Sequence, residues 1–428
     1  MRRTAPVRPV ETQDFASLQS DPPSVPEYNP SVWQRLVEWL HKQKGYDPKR
    51  LTDPEPRAAI EETRRILAKP LNNLAITQDI PEELTATLDQ NIFFFSGFKT
   101  HHELVEASRM LKGDDGNFKP FQQFLKDVET INKVYNRNYL QAEYNFATAS
   151  TQMAVKWKEW EQEGDRYDLQ YRTAGDSRVR EEHAALDGIT LPPSDPFWNS
   201  YLPPNGWNCR CTAVQVRRGK YPRSDSAAAM AAGANCTDTP KKQIFRFNPG
   251  KQEKIFPPKH PYFPKGCGDC QYKRLIFDNE KAICKACLKV DAASVKWSRD
   301  VVREHYEKVA KNDIILEIGN THLDKLTFSV KDIKNITGKP HDYPYARNMA
   351  TYYLKHIAQK SDYLGYSDDI KPDNPKHRGI VAWRYFSFDF LGSKSILIVK
   401  EYEDGTLRPH HIQDSNHFKK EKIKYPFK

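Results

Sequence analysis

The stretch YRTAGDSRVREEHAALDGITLPPSDPFWNSYLPPNGWNCRCTAVQVRR, residues 171–218, decides how the chain is read. With Asp168, Leu169 and Gln170 before it, its first residues read as a strand, and SRVREEHAAL (177–186) reads as a short helix. The Pro-studded run ITLPPSDPFWNSYLPPNGWN (189–208) is a loop, and CRCTAVQVRR (209–218) is a returning strand. This small β element follows a helical section. Phe121, Phe124, Leu125, Val128, Ile131 and Tyr135 recur at the spacing of one helix face. No Gly or Pro interrupts the chain from Phe121 to Glu163, and Gly164 offers a stop. Further helices are expected at 32–43, where Asn29 or Ser31 caps the first turn, and at 57–68 and 101–112. Residues 1–27 are Pro-rich without apolar periodicity and read as a disordered arm.

Beyond 216 the texture changes. Residues 217–265 are rich in Pro, Ala, Ser and Lys and read as a basic extended connector, with a brief helix near 226–234. A cysteine-bearing knot is expected at 266–290. A small α+β unit follows at 291–428, with helices near 294–310 and 344–359 and strands near 313–317, 325–330, 379–390, 394–402 and 406–412. The expected fold class is therefore α+β and multidomain. A mainly helical N-terminal half with a small β element leads, through the connector and knot, to a C-terminal unit of helices and antiparallel sheet.

Composition narrows the function. At 428 residues the chain is long enough for two or three domains. With 38% hydrophobic and 29% charged residues it holds no apolar run long enough to cross a bilayer. Its opening residues, MRRTAPVRPVETQDF, lack the apolar segment of a secretory signal, so the expectation is a chain made in a cytoplasm, with no membrane partner. The net charge of +10 is unevenly placed: −5 over residues 1–216, +10 over 217–290 and +5 over 291–428. Such asymmetry suits either a solvated basic linker or a segment that meets a polyanion.

The cysteines add chemistry. Cys267, Cys270, Cys284 and Cys287 form two C-x-x-C knuckles, a spacing that places four thiolates around a structural zinc ion. Cys209 and Cys211 are too close for a normal knuckle. Two readings of them stand: a second metal site shared with His183 and with Cys236 as a further donor, or small buried residues beside a histidine that hydrogen-bonds the Pro-rich loop. A catalytic Cys–His pair is disfavoured, because no orienting group or oxyanion site accompanies it.

The run YRTAGDSRVR, with His183, Asp187-Gly188, Pro192-Pro193 and PPNGWNCRC (203–211), resembles the Mu F-like phage head morphogenesis family. Its marks are an Arg-rich D-x-R-x-R-x-x-H box, a Pro-containing loop and a closing N-C-R-C. The resemblance covers roughly residues 85–217, within a module taken as 28–216. It implies a minor capsid protein that associates with the portal and scaffold during assembly in the host cytoplasm. Such a protein then sits inside the virion with packaged DNA. The ordinary alternative for Arg172, Arg178 and Arg180 is pairing with Asp176, Glu181 or Glu182.

The C-terminal unit resembles, through its element order and the placement of His and Arg, the superfamily of barnase, EndoU, certain colicin tRNases and the RelE toxins. This resemblance implies a metal-independent ribonuclease or toxin domain with host RNA as target. His341 and His410 then share the base and acid roles and Arg384 holds the phosphate; Arg347 and Lys394 are further cation candidates, and Tyr343, Tyr345 and Tyr385 candidates for base stacking. The competing expectation is a head protein whose C-terminal unit binds DNA or portal without catalysis.

Overall fold

The computed structural model describes residues 24–263, 285–309, 313–369, 373–418 and 423–424. These divide into two compact units, residues 24–263 with 285–290, and residues 291–424.

The first unit is mainly helical. Helix α1 (Pro30–Gln43) begins where the Asn29 side chain accepts a bond from the Ser31 amide at 3.0 Å, and it buries Val32, Trp33, Leu36, Val37, Trp39 and Leu40. Helices α2 (Pro54–Leu67) and α3 (Lys69–Thr77) lead into α4 (Glu82–Arg109), which runs for 28 residues. This helix takes in residues 101–109 of the expected 101–112 segment and the Phe93, Phe94 and Phe95 run. Its middle is buried on all sides, polar Asp89, Asn91, Lys99, Thr100 and Glu103 included. Arg64 of α2 forms a bidentate pair with Asp89.

Helices α5 (Phe121–Lys133) and α6 (Leu140–Glu163) are one continuous rod, joined by a π-helical stretch at Val134–Tyr139. The rod ends at Gly164, whose φ of 60° an L side chain rarely tolerates.

Strand β1 (Tyr167–Arg172) then opens a three-stranded antiparallel sheet. After helix α7 (Glu181–Ala184) come β2 (Thr190–Leu191), helix α8 (Phe197–Tyr201) and β3 (Thr212–Arg217). The strand order is β2-β1-β3, with Leu169 opposite Leu191 and Tyr171 opposite Ala213. Alternation along β1 sends Leu169 and Tyr171 into a core with Trp157, Trp160, Leu186, Phe197, Trp198, Cys209, Cys211 and Cys236.

Residues 217–263 differ from the extended connector expected of them. Besides the expected helix near 226–234, here α9 (Ser226–Cys236), they carry α10 (Pro240–Gln243) and α11 (Pro249–Gln252), and they bury Phe245, Phe247, Ile255 and Phe256. The Asn91 side chain accepts from the amides of Ile255 and Phe256 at 2.9 Å, and Ser150 donates to the Ile255 carbonyl at 2.7 Å. Phe95 and Phe256 stack with centroids 3.6 Å apart. Close approach also matters here: a Cβ on Gly233 of α9 would stand 2.5 Å from the Tyr201 ring. That contact seats α9, and with it Cys236, against α8.

The second unit begins within helix α12 (Lys285–Val309), whose residues from Asp291 onward belong to it. A hairpin of β4 (Ile314–Asn320) and β5 (Leu323–Phe328) follows. Three helices come next: α13 (Val330–Gly338), α14 (Pro344–Tyr352) and α15 (Leu354–Lys360). A four-stranded antiparallel sheet closes the unit, in the order β6 (Asp362–Asp368), β7 (Ile380–Phe390), β8 (Ser393–Tyr402), β9 (Leu407–Asp414). Helix α13 and strand β6 were not expected from the sequence; the other elements fall near their expected places. Among the described residues no helix is long and apolar enough to cross a membrane.

Candidate functional site

The box and the N-C-R-C tract meet in one place. Cys209 and Cys211 lie two apart just before β3, where the backbone is neither helical nor turned. In extended backbone, side chains two apart share a face and the one between takes the other. Both sulfurs accordingly face His183 on α7, each 3.5 Å from the same ring atom, Nδ1. Arg210 points the other way and grips the Asp176 carboxylate with two bonds, at 2.7 and 2.5 Å. Asp176 also accepts from the Arg178 amide at 3.1 Å. The guanidinium of Arg180 lies over Gly206 and donates to the Trp207 carbonyl at 3.3 Å. Asp187 accepts from the amide and hydroxyl of Thr173 at 2.7 and 2.9 Å, and Tyr171 donates to Asn205 at 2.9 Å. The box is thus tied to the tract through Asp176–Arg210, Arg180–Trp207 and His183–Cys209/Cys211.

His183, Cys209 and Cys211 are all buried, with ligand atoms within 4.8 Å of one another. Burial disfavours a charged imidazole, yet bonds with Cys209 and Cys236 outweigh it and push His183 up to about 9. A bond from Cys211 and, against burial, one from His183 hold the Cys209 thiol well below the usual range. Cys211 is held up by the same bond to Cys209 and by burial. A cavity of about 240 Å³ opens beside the three donors, lined also by Arg178, Arg180, Trp207 and Arg210. A neighbouring cavity of about 530 Å³ shares Arg180, His183 and Trp207 and reaches Lys241, Lys242, Phe245 and His260.

Of the four-cysteine set, Cys267, Cys270 and Cys284 lie outside the described residues, and Cys287 sits half-buried in the first turn of α12.

The C-terminal candidates have different surroundings. The His341 ring is buried: its Nδ1 accepts from the Tyr343 amide at 3.0 Å and lies 3.3 Å from Asp414, and its Nε2 is 3.4 Å from the Ser395 hydroxyl. His410 instead meets the Lys339 amine at 2.9 Å and the Trp383 ring at 5.0 Å between centroids. Burial, opposed by Asp414, brings His341 down to about 4; burial, then the Lys339 and Lys400 charges, bring His410 down to about 3. Both imidazoles are therefore neutral near pH 7.

Arg384 is engaged: it makes a bidentate pair with Glu401 at 2.8 and 2.7 Å and donates to the His322 carbonyl at 2.8 Å. Arg347 is buried and spends its guanidinium on the carbonyls of Lys339 and Thr337 and on Asn348. Tyr345 is buried, and the Tyr385 hydroxyl bonds Ser367 at 2.8 Å. The cations beside His410 are Lys339 and Lys400, which the sequence reading did not single out. A Lys-Pro-His segment alone does not show that strand β8 brings a second lysine alongside.

The model of the family described as "Phage Mu protein F like protein" matches residues 116–214. The match starts later than the expected 85 and spans the α5–α6 rod, the box, the Pro-rich loop and the N-C-R-C tract. Two curated relatives carry similar sequence. The "Putative capsid assembly protein F" of Escherichia phage Mu is 39% identical over 69 residues, 16% of this chain and 16% of that protein. The "Mu-like prophage FluMu F protein" of Haemophilus influenzae is 40% identical over 67 residues, 14% of this chain and 16% of that protein. The matched stretch is thus about a sixth of each relative's length. No solved structure matches the chain.

Proposed function

We propose that this chain is a phage minor head protein that takes part in capsid assembly, associates with portal and scaffold in the host cytoplasm, and remains inside the virion with the packaged DNA. The observation that carries this reading is the union of the D-x-R-x-R-x-x-H box with the N-C-R-C tract within the stretch that the Phage Mu protein F-like family model matches. The +10 charge of residues 217–290 suits a compartment filled with phosphates, where Lys and Arg contacts release counterions. The C-x-x-C pairs at Cys267/Cys270 and Cys284/Cys287 are assigned a structural zinc on their spacing. Co-expressed with the portal, scaffold and major capsid proteins of its own phage, the chain is expected in purified procapsids. Its absence from the particles, with the chain soluble in the same lysate, would overturn the head role.

For the second unit, binding of a polyanion such as DNA without catalysis is the better reading. The ribonuclease reading, as assigned to Arg384, His341 and His410, needs that guanidinium free for the phosphate and a protonated acid partnered with the base. Arg384 is already neutralised by Glu401, and His341 and His410 are both neutral. Lys339, Lys400 and the Trp383 face offer a phosphate contact beside an aromatic surface instead. Expression of the full chain in bacteria separates the two. Total tRNA and mRNA should remain intact; loss of RNA that His341→Ala abolishes would reinstate cleavage.

A further inference from the structure

We propose that His183, Cys209 and Cys211 bind a zinc ion, with Cys236 as the fourth donor, and that this ion staples the box, the N-C-R-C tract and helix α9 together. It is a site separate from the four-cysteine segment and does not depend on the head-assembly role.

Geometry carries it. Zinc–sulfur and zinc–nitrogen bonds of about 2.3 and 2.0–2.1 Å, set at a tetrahedral angle, separate the two ligand atoms by about 3.5–3.6 Å. Both sulfurs stand 3.5 Å from Nδ1 of His183. The Nδ1 of an imidazole, neutral or charged, offers either one lone pair or one proton, so it makes one good hydrogen bond. Two sulfurs at the same short distance from a single nitrogen leave one of them poorly served, whereas a cation between all three satisfies every donor. The set is soft and mixed, two thiols and an imidazole, which selects zinc over oxygen-loving cations.

The surroundings fit a structural ion. Cys236 is 1% exposed and packs in the same core cluster as Cys209 and Cys211. It comes from α9, which Gly233 seats against Tyr201. The cavity lined by Arg178, Arg180 and Trp207 gives a route in for the metal. Binding displaces the remaining thiol and imidazolium protons, so uptake is expected to weaken as pH falls. The four donors belong to three segments far apart in sequence. An ion joining them therefore fixes the Pro-rich loop at both ends, which the short strand β2 alone does little to hold.

The test is the zinc content of the full chain, purified under reducing conditions from zinc-supplemented medium. The double variant Cys209→Ser/Cys211→Ser is expected to lose one equivalent relative to the unmodified chain while the four-cysteine segment keeps its own. Equal zinc content in a folded double variant would overturn the proposal. Should the variant fail to fold, the unmodified chain decides. Alkylation of Cys209 and Cys211, followed by peptide mass mapping, is expected to speed up when a chelator is added. Rates at those two thiols that the chelator leaves unchanged would equally overturn it.

Discussion

Exchanging Lys99 for Met should cost the first unit about 3–5 kcal/mol, the range for removing one member of a buried ion pair. That is a large share of an ordinary domain's stability. The Lys99 side chain has no exposure, and its ammonium is paired with the Glu143 carboxylate. It also donates to the Tyr135 carbonyl at 2.7 Å. That carbonyl lies in the π-helical stretch of the α5–α6 rod, where the regular ladder is interrupted. Loss of the ammonium leaves the Glu143 carboxylate without its cation, while the Tyr135 carbonyl keeps only its bond from the Leu140 amide. Glu143 keeps one further bond, from the Tyr262 hydroxyl at 3.2 Å, too little to hold a buried carboxylate. The pair itself need not be stabilising. Burying two charges costs roughly what their attraction returns, so Lys99→Met/Glu143→Met should recover most of the loss. Denaturant unfolding followed by far-ultraviolet circular dichroism reads both variants. A single variant that unfolds at the midpoint of the unmodified chain would show the interior to be wetter than the packing implies.

The same buried helix explains what the sequence did and did not disclose. The α5–α6 rod was legible because Phe124, Val128, Ile131 and Tyr135 line one side and Gly164 ends it. Helix α4 was not. Its middle is buried all round, so apolar and polar residues follow no period, and only its C-terminal third read as helix. Residues 217–263 looked like a linker because what holds them is remote: Asn91 binds Ile255 and Phe256 across more than 160 residues. No local pattern encodes such a bond. At the site, His183, Cys209 and Cys211 were legible by residue type and spacing, since two thiols two residues apart with an imidazole upstream suggest soft-donor chemistry. The pairing of Arg384 was hidden for the opposite reason. Its neutralisation comes from Glu401, one strand away and diagonal in register, where Arg384 faces Val399 and Glu401 faces Ala382.

Glu103, one turn beyond Lys99 on α4, supplies the second large effect, and its sign follows from protonation. The side chain is 1% exposed and neither carboxylate oxygen has a hydrogen-bond partner. Burial raises its pKa from 4.5 to about 8; Lys99 opposes the rise, and Glu143 and Glu106 add to it. Below about pH 4.5 folded and unfolded chains both carry the proton, and the group costs nothing through ionisation. Between 4.5 and 8 the unfolded chain releases the proton and the folded one retains it. Stability then falls by about 1.4 kcal/mol per pH unit, and above 8 the penalty is constant. Glu103→Gln keeps the shape and removes the titration. It should therefore stabilise the chain by about 4 kcal/mol at pH 8 and by less than about 1 kcal/mol at pH 5. Unfolding midpoints of the two chains measured across that interval should diverge as pH rises and run parallel beyond it. A difference independent of pH would mean that the Glu103 carboxylate reaches water. Because the Lys99 charge is what restrains the rise, the same substitution should stabilise more in the Lys99→Met background. That coupling would place both residues in one buried electrostatic unit, the interior on which the rod, the central helix and the 249–263 segment converge.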